Sequence, residues 1–441
     1  MGALEFLLVT IILQSITKPI AMNFIPNFSR RLALAMSFSL ILCSVVFAAP
    51  KPHNAKKHTA TPAWVGTWAT SPQLVEPQNM PPAPGLTNNT LRQVVCVSVG
   101  GKKLRMRFAN YYSKDPVTLK SVQIAVSKGG GTIDESTTKT LKFSGKGEYT
   151  MAPGTDIVSD PISFDLEPRM EVAITIYFGE TSQTVTGHPG SRTTSYILAG
   201  DHTAKGEDFS AAVKTDHWYV INAIDVEGSK NATACVAILG DSITDGRGSG
   251  TNKQDRWPDE LMLSLQKDPK TKSVGVLNLG TGGNAILRGG LGPYALSRYD
   301  RDIIKQSGVK WMIIYEGVND LGGKRDSTIA MKTAAGLIEA YKKMVADAHA
   351  AGLKVYGATI TPFKKNNYYN KFSDAARNTV NDWIRTPGNF DAVIDFDKTV
   401  RDPADPAKLI DELQSGANDY LHLNELGYQT MGNSIPLSLF K

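Results

Sequence analysis

The chain has 441 residues, 41% of them hydrophobic and 20% charged, with a formal net charge of +6. That length exceeds one ordinary core, so two domains are expected, and the composition excludes a disordered, collagen-like or coiled-coil chain. The positive excess is small for the size and gives no reason to invoke nucleic acid.

At the N-terminus, Arg30 and Arg31 precede an apolar run from Leu32 to Phe47 that ends in Ala48 and Ala49. A positive region, an apolar stretch and small residues at its end are the marks of a secretory signal. Cleavage is expected after Ala48, because cleavage after Ala49 would leave Pro50 first. The run is shorter than the roughly 20 residues of a membrane span, so no stable span is expected after cleavage. Leu42 is too bulky for Cys43 to serve as a lipoprotein site. Residues 1–48 are read as a signal peptide, which predicts a secreted or periplasmic protein. A second apolar stretch, Leu4 to Leu13, lies upstream of Met22, and translation from Met22 is the simplest account of it. Without Lys18, Arg30, Arg31 and Glu5 the formal charge falls from +6 to +4. Cys96 and Cys235 remain, both in apolar strand-like runs, which predicts buried thiols rather than a disulfide framework or a metal site.

Residues 49–62, rich in Pro, Lys and His, read as a tether. From Trp64 the hydrophobic period is two. Leu104, Met106 and Phe108 alternate with Arg105 and Arg107, Ile162, Phe164 and Leu166 with Ser163 and Asp165, and Val172, Ile174, Ile176 and Phe178 with Ala173, Thr175 and Tyr177. Each alternation predicts one inward and one solvent-facing side, so residues 63–229 are expected to form an antiparallel β-sandwich. After Lys230 the pattern changes to short continuous apolar runs at Cys235–Leu239, Val274–Leu277, Trp311–Tyr315, Val355–Ile360 and Ala392–Ile394. Helical stretches alternate with them. The clearest, Ser327 to Ala351, carries Ala334, Leu337, Ile338, Tyr341, Met344, Val345 and Ala348 on one stripe, with Gly352 as its stop. Residues 230–441 are therefore predicted to be an α/β domain, a parallel sheet with helices on both faces. Ligands in such folds bind beyond the carboxyl ends of the strands.

The first of those ends reads Gly240-Asp241-Ser242-Ile243-Thr244-Asp245-Gly246, and a helix is expected to start near Arg256. A serine between a buried strand and a helix is where a nucleophile would be presented, although Gly, Asp and Ser also make plain turns. Thr244 occupies the second glycine position of the Gly-x-Ser-x-Gly elbow, so the motif is not that one. A serine hydroxyl needs a base, usually histidine, and there are seven histidines. His53 and His58 fall in the tether, and His188, His202 and His217 in the β-rich half. His349 sits in the last turn of a helix, where a cation suits the macrodipole. His422 remains, in Asp419-Tyr420-Leu421-His422-Leu423-Asn424. Alone it reads equally well as a surface histidine, but Asp419 on the same loop can orient and charge-stabilise the imidazole. Donors for a developing oxyanion are available in Asn278-Leu279-Gly280-Thr281-Gly282-Gly283-Asn284, after the second strand, and in Glu316-Gly317-Val318-Asn319-Asp320, after the third. Either segment alone is no more than a turn; the combination is what points to acyl transfer.

Gly240–Gly246, Gly280–Asn284, Gly317–Asp320 and Asp419–His422 resemble, in order, the four signature blocks of the GDSL/SGNH hydrolases. The resemblance covers the C-terminal half and implies a flavodoxin-like parallel sheet. It also implies Ser242 as nucleophile, His422 as base, Asp419 as its orienting partner, and an oxyanion hole of the Ser242 and Gly283 N–H groups with the Asn319 side chain. Gly282 and Gly283 are adjacent, so either N–H can be the donor. Ile243 stands where the family's name has leucine. Trp64–Ala69, Leu91–Val94, Ser159–Pro161, Arg256–Asp259, Arg298–Arg301 and Ala358–Phe363 resemble a two-domain branch described as arylesterases or acylhydrolases, some found beside xylan-degrading enzymes.

The reading is a secreted serine esterase acting on small acyl esters, acetyl on polysaccharide foremost. Neither cofactor nor metal is predicted, since no His-Glu-x-x-His or Cys/His ligand cluster occurs. A generalist arylesterase or a lysophospholipase or lipase is the enzymatic alternative, though no exposed apolar stretch flanks the motifs to serve a long lipid chain. A carbohydrate-binding protein with an inactive hydrolase domain is the non-enzymatic one.

Overall fold

Continuous apolar runs are stable as strands only where both faces of their sheet are covered. The computed structural model describes residues 63–290, 292–416 and 418–441; the expected signal peptide, 1–48, and the expected tether, 49–62, lie outside them. Five such runs form one parallel sheet: β1 (Ala234–Gly240), β2 (Val274–Gly280), β3 (Val309–Tyr315), β4 (Lys354–Ala358) and β5 (Ala392–Ile394). Their spatial order is β2-β1-β3-β4-β5, the flavodoxin-like order, with its switch point between β1 and β3. The register decides what happens there. Gly240 pairs with Gly280 on one side and with Tyr315 on the other, so the three motif-bearing loops leave the sheet at one level.

Four longer helices cover the sheet: α1 (Trp257–Lys267), α2 (Ser327–Ala350), α3 (Lys371–Arg385) and α4 (Glu425–Asn433). α1 packs with α4, and α2 with α3. Asp326 caps α2 by accepting the Ile329 N–H, and the predicted stripe is buried except for Ile338, which is half-covered while Ala340 is buried in its place. Among the described residues no helix is long and apolar enough to cross a membrane.

The antiparallel part has two main sheets. One runs Trp64–Ala69, Ile221–Glu227, Gly101–Asn110, Thr155–Val158, with Ile162–Leu166 also on Gly101–Asn110. The other orders Val213–Thr215, Ser195–Ala199, Asn89–Cys96, Glu171–Phe178, Val117–Ser127 and Ile133–Thr140, with Tyr149–Met151 on Val117–Ser127. Leu104, Met106 and Phe108 face the core as expected. Ala173 and Thr175 do not face water as the alternation predicts: both are buried. Glu171–Phe178 is a central strand, and the Arg92 Nε–H donates to Thr175 Oγ1 at 2.9 Å across its outer face. Cys96 and Cys235 are buried free thiols, and burial pushes Cys96 up to about 12. A small third sheet joins Gln73–Leu74, Thr186–His188 and Trp218–Tyr219.

The two parts share one continuous apolar core, and the seam runs along β2. As the edge of the parallel sheet, β2 has unpaired polar groups that need covering. Ser98 Oγ accepts the Val276 N–H at 3.0 Å, and Ser71 Oγ donates to Leu279 O at 3.1 Å. Backbone approaches backbone closely here: a Cβ on Gly275 would lie 2.5 Å from Gly66 O and 3.1 Å from Cys235 Cβ. Gly275→Ala is therefore expected to cost roughly 1–3 kcal/mol through overpacking, read as a lower urea midpoint with an unchanged m-value. A wild-type midpoint would show that the seam can open to admit a methyl group.

Candidate active site

Ser242 opens a single helical turn, Ser242–Asp245, directly after β1. Asp241 caps the turn by accepting the Ile243 N–H at 2.9 Å. Burial, with Asp320 and Asp245 nearby, pushes the Asp241 carboxyl up to about 7. The first helical position leaves the Ser242 N–H without an intrahelical acceptor.

Ser242 Oγ lies 2.9 Å from His422 Nε2, and His422 Nδ1 lies 2.9 and 3.0 Å from the two Asp419 oxygens. The imidazole thus stands between hydroxyl and carboxylate, each on its own ring nitrogen. Asp419 also accepts the Leu421 and His422 N–H groups, at 3.0 and 2.9 Å. Its burial opposes ionisation. The His422 ring and these two N–H bonds outweigh that and hold the carboxyl well below the usual range. Asn366 Nδ2 donates to Asp419 O at 2.6 Å, tying down a loop in which Tyr420 has φ +49°.

The second and third loops meet the first. Asn284 N–H bonds Thr281 O at 3.1 Å, closing a β-turn whose third residue, Gly283, has φ +67°, a conformation that favours glycine. Gly282 lacks that constraint, which singles out Gly283 of the two glycines as the fixed turn position. Among the described residues, neither the Ser242 N–H nor the Gly283 N–H finds a protein acceptor. The Asn319 carboxamide is held at both ends: Nδ2 donates to Asn284 O at 2.7 Å, and Oδ1 accepts from Tyr368 Oη at 2.9 Å. One Nδ2 hydrogen remains free. Asp320 binds the third loop to the second by accepting the Ile286 and Leu287 N–H groups at 2.8 and 3.0 Å.

The structure thus brings together all five residues singled out in the sequence: Ser242, Asp419, His422, Gly283 and Asn319. They line an open cleft of about 610 Å³. Sequence reasoning missed several others. Arg298, 1% exposed, donates to Ser71 Oγ, Leu279 O, Gly240 O and Asn284 Oδ1 at 2.7–3.1 Å. The Arg298–Arg301 segment stood out as a resemblance, without a role. His188, set aside with the β-rich half, is buried, its Nε2 2.8 Å from Asp245 Oδ1 inside the first motif. Tyr368 carried no signal. Nor did the opposite wall of the cleft, where Gln73, Glu76, Asn79, Arg192 and His217 all come from the β-rich half.

With this geometry, a match of residues 238–430 to the model of the GDSL-like lipase/acylhydrolase family takes in every residue of the cluster. That segment belongs to the GDSL-like lipase/acylhydrolase family. The protein is accordingly a carboxylic ester hydrolase. Among solved structures, the chain is similar to a GDSL-like lipase from Bacteroides thetaiotaomicron VPI-5482, at 18% identity over 45% of this chain and 84% of that one, TM-score 0.32. It is also similar to a carbohydrate acetylesterase family member from Sinorhizobium meliloti, at 16% identity over 46% and 94%, TM-score 0.35. A family two carbohydrate esterase from Cellvibrio japonicus aligns over 86% of this chain and 94% of its own, at 11% identity and TM-score 0.35. No curated protein matches the chain.

The depressed Asp419 carboxyl has a consequence for stability. A group whose folded pKa lies below its unfolded value of about 3.9 stabilises the fold above that pH, and the contribution is lost as pH falls toward the folded value. The melting-temperature gap between wild type and Asp419→Asn should therefore narrow from pH 5 to pH 2.5. A gap that stays constant or widens would show that the carboxylate's bonds to His422 are not what the fold gains there.

Proposed function

We propose that the protein is a secreted or periplasmic serine esterase that removes small acyl groups, acetyl foremost, from polysaccharides. The observation that carries the reading is the unbroken line from Asp419 through His422 to Ser242, with 2.9 Å between each pair of atoms. In this mechanism Ser242 Oγ attacks the ester carbonyl as His422 Nε2 takes its proton, while Asp419 holds the Nδ1–H and stabilises the imidazolium. The tetrahedral oxyanion takes hydrogen bonds from the Ser242 and Gly283 N–H groups and the free Asn319 Nδ2 hydrogen. Collapse expels the alcohol, protonated by His422. Water, activated by the same imidazole, then releases the acid and restores Ser242.

The lining of the cleft supports a polar alcohol and a short acyl group. Asparagine, glutamine, arginine and carboxylate side chains surround Ser242, and the larger apolar groups are confined to Pro189, Leu421 and the ring of Tyr368. A long acyl chain would have little apolar surface to bury, which disfavours a lipase or lysophospholipase. The signal-like run ending at Ala48 supports export, where such a polymer would be met.

Two variants test the chemistry. Ser242→Ala should abolish acetate release from acetylated xylan and labelling by a fluorophosphonate, with melting close to wild type. Undiminished turnover would overturn the assignment. Asn319→Ala should lower kcat by roughly 10²–10³-fold with little change in KM, because its donor acts mainly in the transition state. A pure KM effect would make Asn319 a substrate-binding group instead. Comparing p-nitrophenyl esters of increasing chain length should show the highest kcat/KM at acetyl; a maximum at long chains would favour the lipase reading.

A further inference from the structure

Resting on the esterase reading, we propose that Arg192 and Arg247 form an anion subsite beside Ser242, and that the esterified polymer carries carboxylates, as an acidic glycan does. Both arginines line the cleft that holds Ser242 and His422. Arginine stays charged under all working conditions. Yet among the described residues neither guanidinium has a carboxylate within salt-bridge distance or a hydrogen-bond acceptor of any kind.

None of the three carboxylates of the cleft is paired with either arginine. Asp419 is bonded to His422, and Asp245 is bonded to His188 through Oδ1 while its Oδ2 is buried without a partner. Glu76 is held on both oxygens, by Gln73 Nε2 at 2.6 Å and Asn79 Nδ2 at 3.0 Å. The two guanidinium charges are therefore left to whatever enters the cleft.

Both main chains are fixed in a way that keeps these side chains at the site. The Arg247 N–H donates to Ser242 O at 2.9 Å, and Arg247 O accepts from Tyr428 Oη at 2.6 Å. Arg247 thus begins one hydrogen bond from the serine and extends into solvent. Arg192 sits across the cleft, on the β-rich half, with φ +52°, a left-handed conformation uncommon for a side chain of its size. Asn252 N–H clamps Arg192 O at 2.9 Å. Its Nε is buried without an acceptor, an arrangement that ordinarily calls for a partner. A carboxylate bridging the two would receive charge-assisted hydrogen bonds from both halves of the protein, and guanidinium suits that planar, two-oxygen group.

The test uses the full chain carrying Ser242→Ala, so that an ester survives titration. Calorimetry compares an acetylated xylo-oligosaccharide with the same oligosaccharide bearing a glucuronic acid branch. The acidic ligand should bind roughly tenfold or more tightly at low salt, and the advantage should shrink as salt screens it. It should fall to about one when Arg247→Gln or Arg192→Gln is added. Arg247 is exposed, so its variant remains informative if Arg192→Gln folds poorly. Equal affinities for the two ligands, or an advantage that survives both substitutions, would overturn the proposal. So would an arginine-dependent gain for a neutral oligosaccharide carrying a succinyl ester with none for the acidic branch, since the anion would then lie on the acyl side. Acetate release by the wild type is scored separately. Acid-selective binding without acetate release would keep the subsite and remove the esterase; release without selectivity would do the reverse.

Discussion

The guanidinium of Arg298 carries a full charge in a place with almost no water, and it is placed where three strands end. It donates to the last carbonyl of β1 (Gly240 O), to the penultimate carbonyl of β2 (Leu279 O) and toward Glu316, just beyond β3. A buried charge is tolerable only when its donors are satisfied and opposite charge lies near. Here the strand-end carbonyls satisfy its donors, and Asp302 Oδ2, 3.5 Å from Nη1, brings opposite charge near. Burial drives Glu316 toward the neutral acid, Asp241 adds to that, and Arg298 opposes it. Removing the arginine would strand acidic groups and free three strand ends together.

The same side chain also sets the geometry of the proposed oxyanion donors at one remove. Two of its nitrogens bond Asn284 Oδ1, at 2.9 and 2.7 Å, which fixes Asn284 and so the carbonyl that receives Asn319 Nδ2. Tyr368 secures the other end of that carboxamide. Preorganisation of this sort is what an oxyanion site needs, because donors that must turn during the reaction lose their advantage. The chain Arg298–Asn284–Asn319–Tyr368 runs through four separate segments, two of them short helices and two of them loops.

How much of this was legible in the sequence depends on the range of the interactions. Ser242 and the Asp419/His422 pair could be read because their meaning is local: a serine just past a buried run, and a carboxylate three residues before an imidazole. The parallel sheet was legible because apolar runs without alternation have few ways to be buried. The outer face of Glu171–Phe178 was not, since alternation describes a strand with one dry face and Arg92 covers the other side of this one. Arg298 with Ser71, His188 with Asp245, and Tyr368 with Asn319 join residues 227, 57 and 49 positions apart. Periodicity tells which way a side chain faces; it does not say which distant group it will meet.

That distinction bears on why the β-rich half is present at all. It covers the β2 edge through Ser98 and Ser71, whose hydroxyls bond Val276 and Leu279. An uncovered edge of a parallel sheet would invite pairing with another chain. Having docked there, the same half reaches over the strand ends. Ser71 contacts Arg298, His188 contacts Asp245 in the first motif, and Gln73, Glu76, Asn79, Arg192 and His217 complete the cleft. One surface therefore has two duties. Its hydroxyls finish a sheet that would otherwise expose polar backbone, while its loops supply the wall against which a substrate must fit. Ser71 and Arg298 join the seam to the strand ends, whereas Arg192 and His217 belong to the wall. Selectivity can thus vary in the β-rich half without disturbing the bonds that align Ser242, His422 and Asp419.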